Sequence, residues 1–156
     1  MRILTPVNAA KQTHRHHKTS NPFEIAVEKN INLIFEPLGD IYGFYHTYKR
    51  SRDIHINSAI SEPDQIYTCA HELGHCILHP KVNAPFLMKN TLFSIDRIER
   101  EANTFAVELL IPDELLLSGM SIYEAANRCG VPKELAVLKK APKRKLWHDD
   151  NSGFQY

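Results

Sequence analysis

Three histidines recur at intervals of four residues in the stretch TCAHELGHCILHP, residues 68–80, and a glutamate follows the first of them. On a helix, His71 and His75 lie one turn apart, about 40° from each other around the axis. Two imidazoles in this relation can bind one Zn²⁺, and Glu72 projects where it can act as a base on a water molecule. The alternative interpretation is an amphipathic helix with surface histidines, which the pattern favours less.

The third histidine of the run is not expected to bind the same ion. His79 lies two turns beyond His71, roughly 12 Å along a continuous helix, which one metal ion cannot span. The metzincin arrangement requires a break after the second histidine, but the residues CIL continue the helix here. We expect His79 to close the last turn, where a cationic imidazole suits the helix dipole. Cys69 and Cys76 are interpreted as packing residues, which argues against a deformylase-like site.

A second helix is predicted over SIDRIEREANTFAVELLIP, residues 94–112. On its wheel, Glu99 shares an arc with Ala102 and Ala106. A carboxylate on an apolar face is costly unless it is paired or coordinates a metal. The two alanines would let this helix approach the histidine helix closely. Glu99 is therefore the predicted third ligand, which leaves one coordination position open for water.

The other polar residues of this second helix receive different interpretations. Asn103 follows Glu99 by one turn and could support the site from behind, although it could equally be a polar residue packed between helices. Glu101 and Glu108 fall on the opposite face of the wheel. We expect both glutamates to lie in solvent.

The whole chain fits one soluble domain. It has 156 residues, 19 Lys plus Arg, 18 Asp plus Glu, and 43% hydrophobic residues, so its balance favours neither nucleic acid nor a membrane as partner. No apolar run has the length of a membrane span or the character of a signal peptide. The three cysteines show no disulfide spacing, which is typical of reduced thiols in a cytoplasmic protein.

The segment boundaries follow from composition and from turn residues. Residues 1–20 are polar and are predicted to form a disordered tail. A single domain is expected over 21–140. It begins with a short helix at NPFEIA, capped by Asn21. Three strands follow in INLIFEPLG, IYGFYHTY and RDIHIN and form a small antiparallel sheet. Residues 113–140 are predicted to be a helical subregion, and 141–156 a polar tail.

The paired stretches HELGHCILHP and EREANTFAVELLIP resemble the ImmA/IrrE family of zinc metallo-endopeptidases, a small gluzincin group. The resemblance runs from about NPFEIA to Pro112 and implies an α+β, minimal zincin-like fold. In that fold a small antiparallel sheet packs beside the two motif helices, and a helical part follows. The family glutamate of E-x-x-A-N falls on Glu99, so the resemblance implies one Zn²⁺ held by His71, His75 and Glu99, with Glu72 as the catalytic base.

The resemblance also implies a substrate, an Xre-type helix-turn-helix repressor of a prophage or mobile element. One alternative is a zinc-binding module that binds a partner without cleaving it, but a pure binding module has no need of Glu72. Another alternative is DNA binding through SIYEAANRCGVPKEL and the basic stretch KKAPKRKLW. The first segment is predicted to form two short helices. The second of them has only one basic residue in its first turn, which is too few for contacts to DNA bases. Direct nucleic-acid binding is therefore not expected.

Overall fold

The computed structural model describes residues 3–89, 92, 94 and 96–143. Of the helices in this part of the chain, not one has the length and apolar character that crossing a membrane requires. In chain order the elements are α1 (Pro6–His17), α2 (Pro22–Glu28), β1 (Asn32–Glu36), β2 (Ile41–Tyr48), β3 (Ser51–Asn57), α3 (Glu62–Leu78), β4 (Leu87–Met88), α4 (Arg97–Leu110), α5 (Asp113–Leu117), α6 (Ile122–Arg128) and a 3₁₀ helix (Lys133–Leu138).

The α+β class is confirmed, but the sheet is mixed and not purely antiparallel. Its strand order is β1-β3-β2-β4, with β2 antiparallel to both β3 and β4, and β1 parallel to β3. The prediction was wrong for β1 because β3 returns from β2 and inserts between β2 and β1, so it runs in the same direction as β1. Strand patterns identify strands but not their neighbours. Strand β4 was not predicted because two residues are too few to show an alternating pattern.

The N-terminal segment that was predicted as a disordered tail instead contains helix α1. The Thr5 side chain caps it by accepting a hydrogen bond from the backbone N–H of Asn8. Ala9, Ala10 and Thr13 form its buried face, and the helix packs against α4. The prediction failed because the buried face is made of small residues. Its three side chains are almost fully buried, but their amphipathic signal in the sequence is weak.

The two predicted motif helices are both present and pack directly against each other. Helix α3 begins after Ser61, whose side chain accepts from the backbone N–H of Asp64, as its sequence predicts. The helices meet at Gly74, where an added Cβ would lie 3.0 Å from the Phe105 ring and 3.2 Å from the Ala102 carbonyl oxygen. A glycine at this position therefore permits the close approach of the two backbones.

The opposite side of α4 is covered by the 3₁₀ helix, which corrects two expectations. Glu108, predicted to lie in solvent, is buried and accepts a hydrogen bond from Lys139 Nζ at 2.9 Å. Lys139, predicted as part of a solvated basic tail, also donates to Asp113 at 2.6 Å. The wheel alone could not show that a later segment shields this face. Residues 141–143 follow without regular structure, and the rest of the predicted C-terminal tail lies outside the described residues.

The segment considered for DNA binding forms α6 and the 3₁₀ helix. The predicted capping box is present, because Ser121 and Glu124 each accept from the other's backbone N–H. Leu135 and Ala136 of the 3₁₀ helix are buried, and this short helix contacts both α4 and α6. These contacts support the packing role that the sequence favoured over a recognition helix.

Candidate metal centre

Helix α3 carries three ionisable side chains into the interior. His71, Glu72 and His75 have no exposed surface, since α3 lies between the sheet and α4. Glu99 of α4 joins them and is 3% exposed. Four ionisable groups in one buried cluster are costly unless they pair with each other or with a metal ion.

The atoms of three of these residues converge on one point. His71 Nε2 and His75 Nε2 lie 3.1 Å apart, and the Glu99 carboxylate oxygens lie 3.3 Å from His71 Nε2 and 2.8 Å from His75 Nε2. Ligand atoms around a tetrahedral zinc ion are separated by about 3.4 Å when each bond is about 2.1 Å. The spacing of the two nitrogens and the Glu99 carboxylate is therefore close to that of a three-ligand metal site. Among the described residues, this is the group of potential ligands that could hold an ion.

Hydrogen bonding does not satisfy this cluster, which supports its interpretation as a metal site. Glu99 Oε1 has no hydrogen-bond partner among the described residues, although His75 Nε2 lies 2.8 Å away. Within the part of the chain that the structure describes, both carboxylate oxygens of Glu72 are also buried without a hydrogen-bond partner. Unpaired buried oxygens are rare in native structures. A divalent cation among His71, His75 and Glu99 would supply the missing partner.

His71 is held from behind by an amide, as the position of Asn103 suggested. His71 Nδ1 lies 2.8 Å from Asn103 Oδ1, and the Tyr67 hydroxyl donates to the same oxygen at 2.6 Å. The Asn103 amide nitrogen donates to the Leu92 carbonyl at 2.8 Å. Because Oδ1 accepts, His71 carries its proton on Nδ1 and directs the Nε2 lone pair toward the cluster.

A second polar chain behind His75 was missed by the sequence analysis. His75 Nδ1 lies 3.1 Å from His79 Nδ1, and His79 Nε2 lies 2.8 Å from Glu101 Oε2. Glu101, predicted to be in solvent, has a side chain only 26% exposed. The expectation that His79 closes the last turn holds for its backbone, whose N–H bonds to the His75 carbonyl. Its side chain has a different partner because α4 brings Glu101 against the end of α3.

The two buried glutamates have opposite pKa shifts. Burial raises the pKa of Glu72 from 4.5 to about 7, although the charge of His71 opposes the shift. Burial also acts to raise the pKa of Glu99, but its contacts with His71 and His75 outweigh burial and lower that pKa to about 2. Glu99 is thus anionic at neutral pH, and Glu72 is poised to gain or lose a proton.

The two histidines are also shifted in opposite directions. Burial lowers the pKa of His75, and the neighbouring His71 adds to this effect. Burial also acts to lower the pKa of His71, but the nearby carboxylates of Glu99 and Glu72 outweigh it and raise that pKa overall. A neutral imidazole is the form that binds a metal, so the lowered pKa of His75 favours metal binding, whereas the raised pKa of His71 makes a proton a stronger competitor of the cation there.

The raised pKa of Glu72 predicts an unusual pH dependence in the metal-free protein. The unfolded chain loses this proton near pH 4.5, while the folded chain keeps it to about pH 7. The free energy of unfolding should therefore fall as the pH rises through this window, by at most about 3 kcal/mol. Glu72→Gln cannot ionise, so with chelator present it should be more stable than the wild type at pH 8. The advantage should vanish near pH 4. Denaturant titrations across this range test the prediction, and parallel stability curves for the two proteins would contradict it.

A helix with the sequence H-E-x-x-H, a glutamate from a neighbouring helix and a small adjoining sheet define the zincin-like class of metallopeptidases. Within this class, residues 26–139 match the peptidase M78 family, described as the IrrE N-terminal-like domain. The chain belongs to this family, as its motifs predicted. Membership implies a divalent metal ion, and His71, His75 and Glu99 are the side chains arranged to bind it.

Two relatives are similar over most of their length. The chain is 46% identical over 136 residues to "Uncharacterized immunity region protein 2" of Bacillus phage phi105, covering 84% of this chain and 86% of the relative. It is 32% identical over 131 residues to "Metallopeptidase ImmA" of Bacillus subtilis (strain 168), covering 79% and 76%. The similarity spans about four fifths of the chain in both cases, so it covers most of the domain.

Proposed function

We propose that this chain is a zinc-dependent endopeptidase that cleaves a protein, namely an Xre-type helix-turn-helix repressor of a prophage or mobile element. The observation that carries the proposal is the Glu72 carboxylate, which is buried beside three converging potential ligands and has no hydrogen-bond partner among residues 3–89, 92, 94 and 96–143. A carboxylate in this condition is explained by a proton-transfer role, whereas a purely structural metal site needs no such group. The family and the metallopeptidase relative support the same reaction class.

Zinc is proposed because the ligand set contains two imidazole nitrogens and one carboxylate. Mg²⁺ and Ca²⁺ prefer sites built of oxygen atoms, whereas two histidines and a glutamate are typical of catalytic zinc. His71, His75 and Glu99 would hold the ion, with one position left for water or substrate. When bound, the ion supplies Lewis acidity that polarises the scissile carbonyl and makes water more acidic.

Glu72 performs the proton transfers in this proposal. Its carboxylate takes a proton from the attacking water and delivers it to the leaving amine as the peptide bond breaks. Burial raises its pKa to about 7 in the metal-free protein, which is near the value that suits both accepting and donating a proton at neutral pH. Asn103 contributes indirectly, since it keeps the Nε2 lone pair of His71 directed toward the ion.

The substrate is proposed from the relatives, not from a groove in the structure. One relative is named for a phage immunity region and the other is a metallopeptidase. Immunity is control over phage genes, so a peptidase encoded there has a repressor as its natural target. A cytoplasmic location follows from this proposal, and it agrees with the free thiols of Cys69, Cys76 and Cys129.

A cleavage assay with purified components tests the proposed function. The protein would be loaded with one equivalent of Zn²⁺ and incubated with a candidate Xre-type helix-turn-helix repressor. Mass spectrometry should find two repressor fragments from a single cut, and chelator should prevent their formation. Stable binding of the intact repressor without any cut, under conditions where zinc is bound, would instead identify a binding module.

A further inference from the structure

His75 has a ring nitrogen on each side of its imidazole, and only one of them faces the ligand cluster. Nε2 lies 2.8 Å from Glu99 Oε1, and Nδ1 points the other way, 3.1 Å from His79 Nδ1. The chain continues from His79 Nε2 to Glu101 Oε2 at 2.8 Å, and Glu101 Oε1 accepts from Arg97 Nε at 2.8 Å. Four side chains thus form a continuous line from the cluster to the surface.

The hydrogen atoms along this line can be arranged in only one way when His75 binds a metal. A ligand nitrogen must offer its lone pair, so neutral His75 carries its proton on Nδ1 and donates it to His79 Nδ1. His79 must then accept at Nδ1 and carry its own proton on Nε2. That N–H donates to the Glu101 carboxylate, which can only accept. Every donor meets an acceptor, and both imidazoles are fixed in one tautomer.

We propose that His79 and Glu101 are positioning residues that fix the tautomer and ring orientation of His75 for metal binding. The inference rests on the proposed metal site. It adds two residues that were not expected there: His79, because of its distance along the helix, and Glu101, because of its position on the helical wheel. Carboxylates and carbonyls that accept from a metal-binding histidine raise ligand basicity and restrict the ring. Here one further imidazole transmits the effect of the carboxylate.

The burial of the line supports a positioning role over incidental surface contacts. The His79 side chain is 10% exposed and that of Glu101 26%, whereas Arg97 is 90% exposed. An exposed ion pair contributes little, so Arg97 is expected to matter least. The helix end does not need the His79 imidazole, because the His79 backbone N–H already bonds to the His75 carbonyl. The imidazole is therefore available for the contact with His75.

Zinc affinity measured by competition with a chromophoric chelator tests the proposal without reference to catalysis. His79→Ala and Glu101→Ala should each weaken zinc binding by roughly 10- to 100-fold. His79→Asn should lose less zinc affinity than His79→Ala, because the asparagine oxygen can still accept a hydrogen bond from His75. Glu101→Gln keeps the shape of the side chain and one acceptor oxygen. Its zinc affinity should therefore lie between those of the wild type and Glu101→Ala. Circular dichroism would confirm that each variant is folded.

Matched controls and a spectroscopic readout separate positioning from general damage to the fold. His46→Ala and Glu114→Gln change exposed residues of the same types and should leave zinc affinity unchanged. The absorption of Co²⁺ bound in place of zinc should change in His79→Ala, because the His75 ring is no longer oriented. Wild-type affinity and an unchanged Co²⁺ spectrum in the folded variants would overturn the inference while leaving the metal site intact. A wild type that binds neither ion would instead remove the proposed function.

Discussion

Replacing Glu72 with glutamine is expected to abolish most peptide hydrolysis while the metal stays bound. The amide has nearly the size of the carboxylate but cannot accept a proton from water. General acid–base catalysis by a positioned side chain accelerates a reaction by about 10²- to 10⁴-fold. The kcat/KM on a confirmed substrate should therefore fall by about 10²- to 10⁴-fold or more. The zinc content should remain about one ion per chain, because His71, His75 and Glu99 are unchanged.

Glu62→Gln is the matched control for this experiment. Glu62 is an exposed glutamate in the first turn of the same helix and should have no effect on cleavage. Metal analysis of all three proteins shows whether any loss of activity comes from loss of zinc. If Glu72→Gln cleaves at nearly the normal rate, another group is the base and the role assigned to Glu72 is wrong.

Replacing Glu99 with alanine is expected to remove zinc from the protein. The substitution takes away one of three ligands and the negative charge that offsets the charge of the ion. It also removes the carboxylate that lies within 3.3 Å of both buried imidazoles. Zinc bound at equimolar metal should drop from about one ion per chain to near zero, and cleavage should disappear with it. Metal analysis after gel filtration gives the stoichiometry.

Two other glutamates provide a graded comparison for Glu99. Changing the exposed Glu114 to alanine should leave the amount of bound zinc unchanged. The zinc occupancy of Glu101→Ala should lie between those of the Glu99 and Glu114 variants, since Glu101 contacts His79 but not the cluster. A helical wheel alone predicts no effect at Glu101, so this variant distinguishes the observed contact from the sequence pattern. Full zinc occupancy in Glu99→Ala would mean that the third ligand lies elsewhere.

The members of the buried His71, His75 and Glu99 cluster could be identified from sequence because each is marked by a pattern within its own helix. The four-residue spacing of His71 and His75 places both on one face of any helix. Glu99 was identifiable because a lone carboxylate among Ala102 and Ala106 conflicts with burial. The structure brings the three side chains together as expected. Each step depended on periodicity within one helix, which is the strongest signal that a single sequence carries.

The missed features depend on how separate elements meet. The contact of His79 with Glu101 requires knowledge of how far α4 extends past the end of α3, and a wheel holds no such information. The burial of Glu108 depends on Lys139, which reaches it from a later segment. Strand β1 pairs with β3 for a similar reason, since its own residues do not specify a neighbour. Local patterns cannot supply these long-range relations.

The contact at Gly74 has a consequence for genetics. The distance between α3 and α4 is set where Gly74 meets Phe105 and the Ala102 carbonyl, and that distance also places Glu99 opposite the two histidines. A larger side chain at either small position would push the helices apart and separate the ligand atoms. A screen for inactive alleles should therefore recover Gly74 and Ala102 alongside the ligands themselves. Such alleles would look like active-site lesions even though neither residue binds an ion or moves a proton.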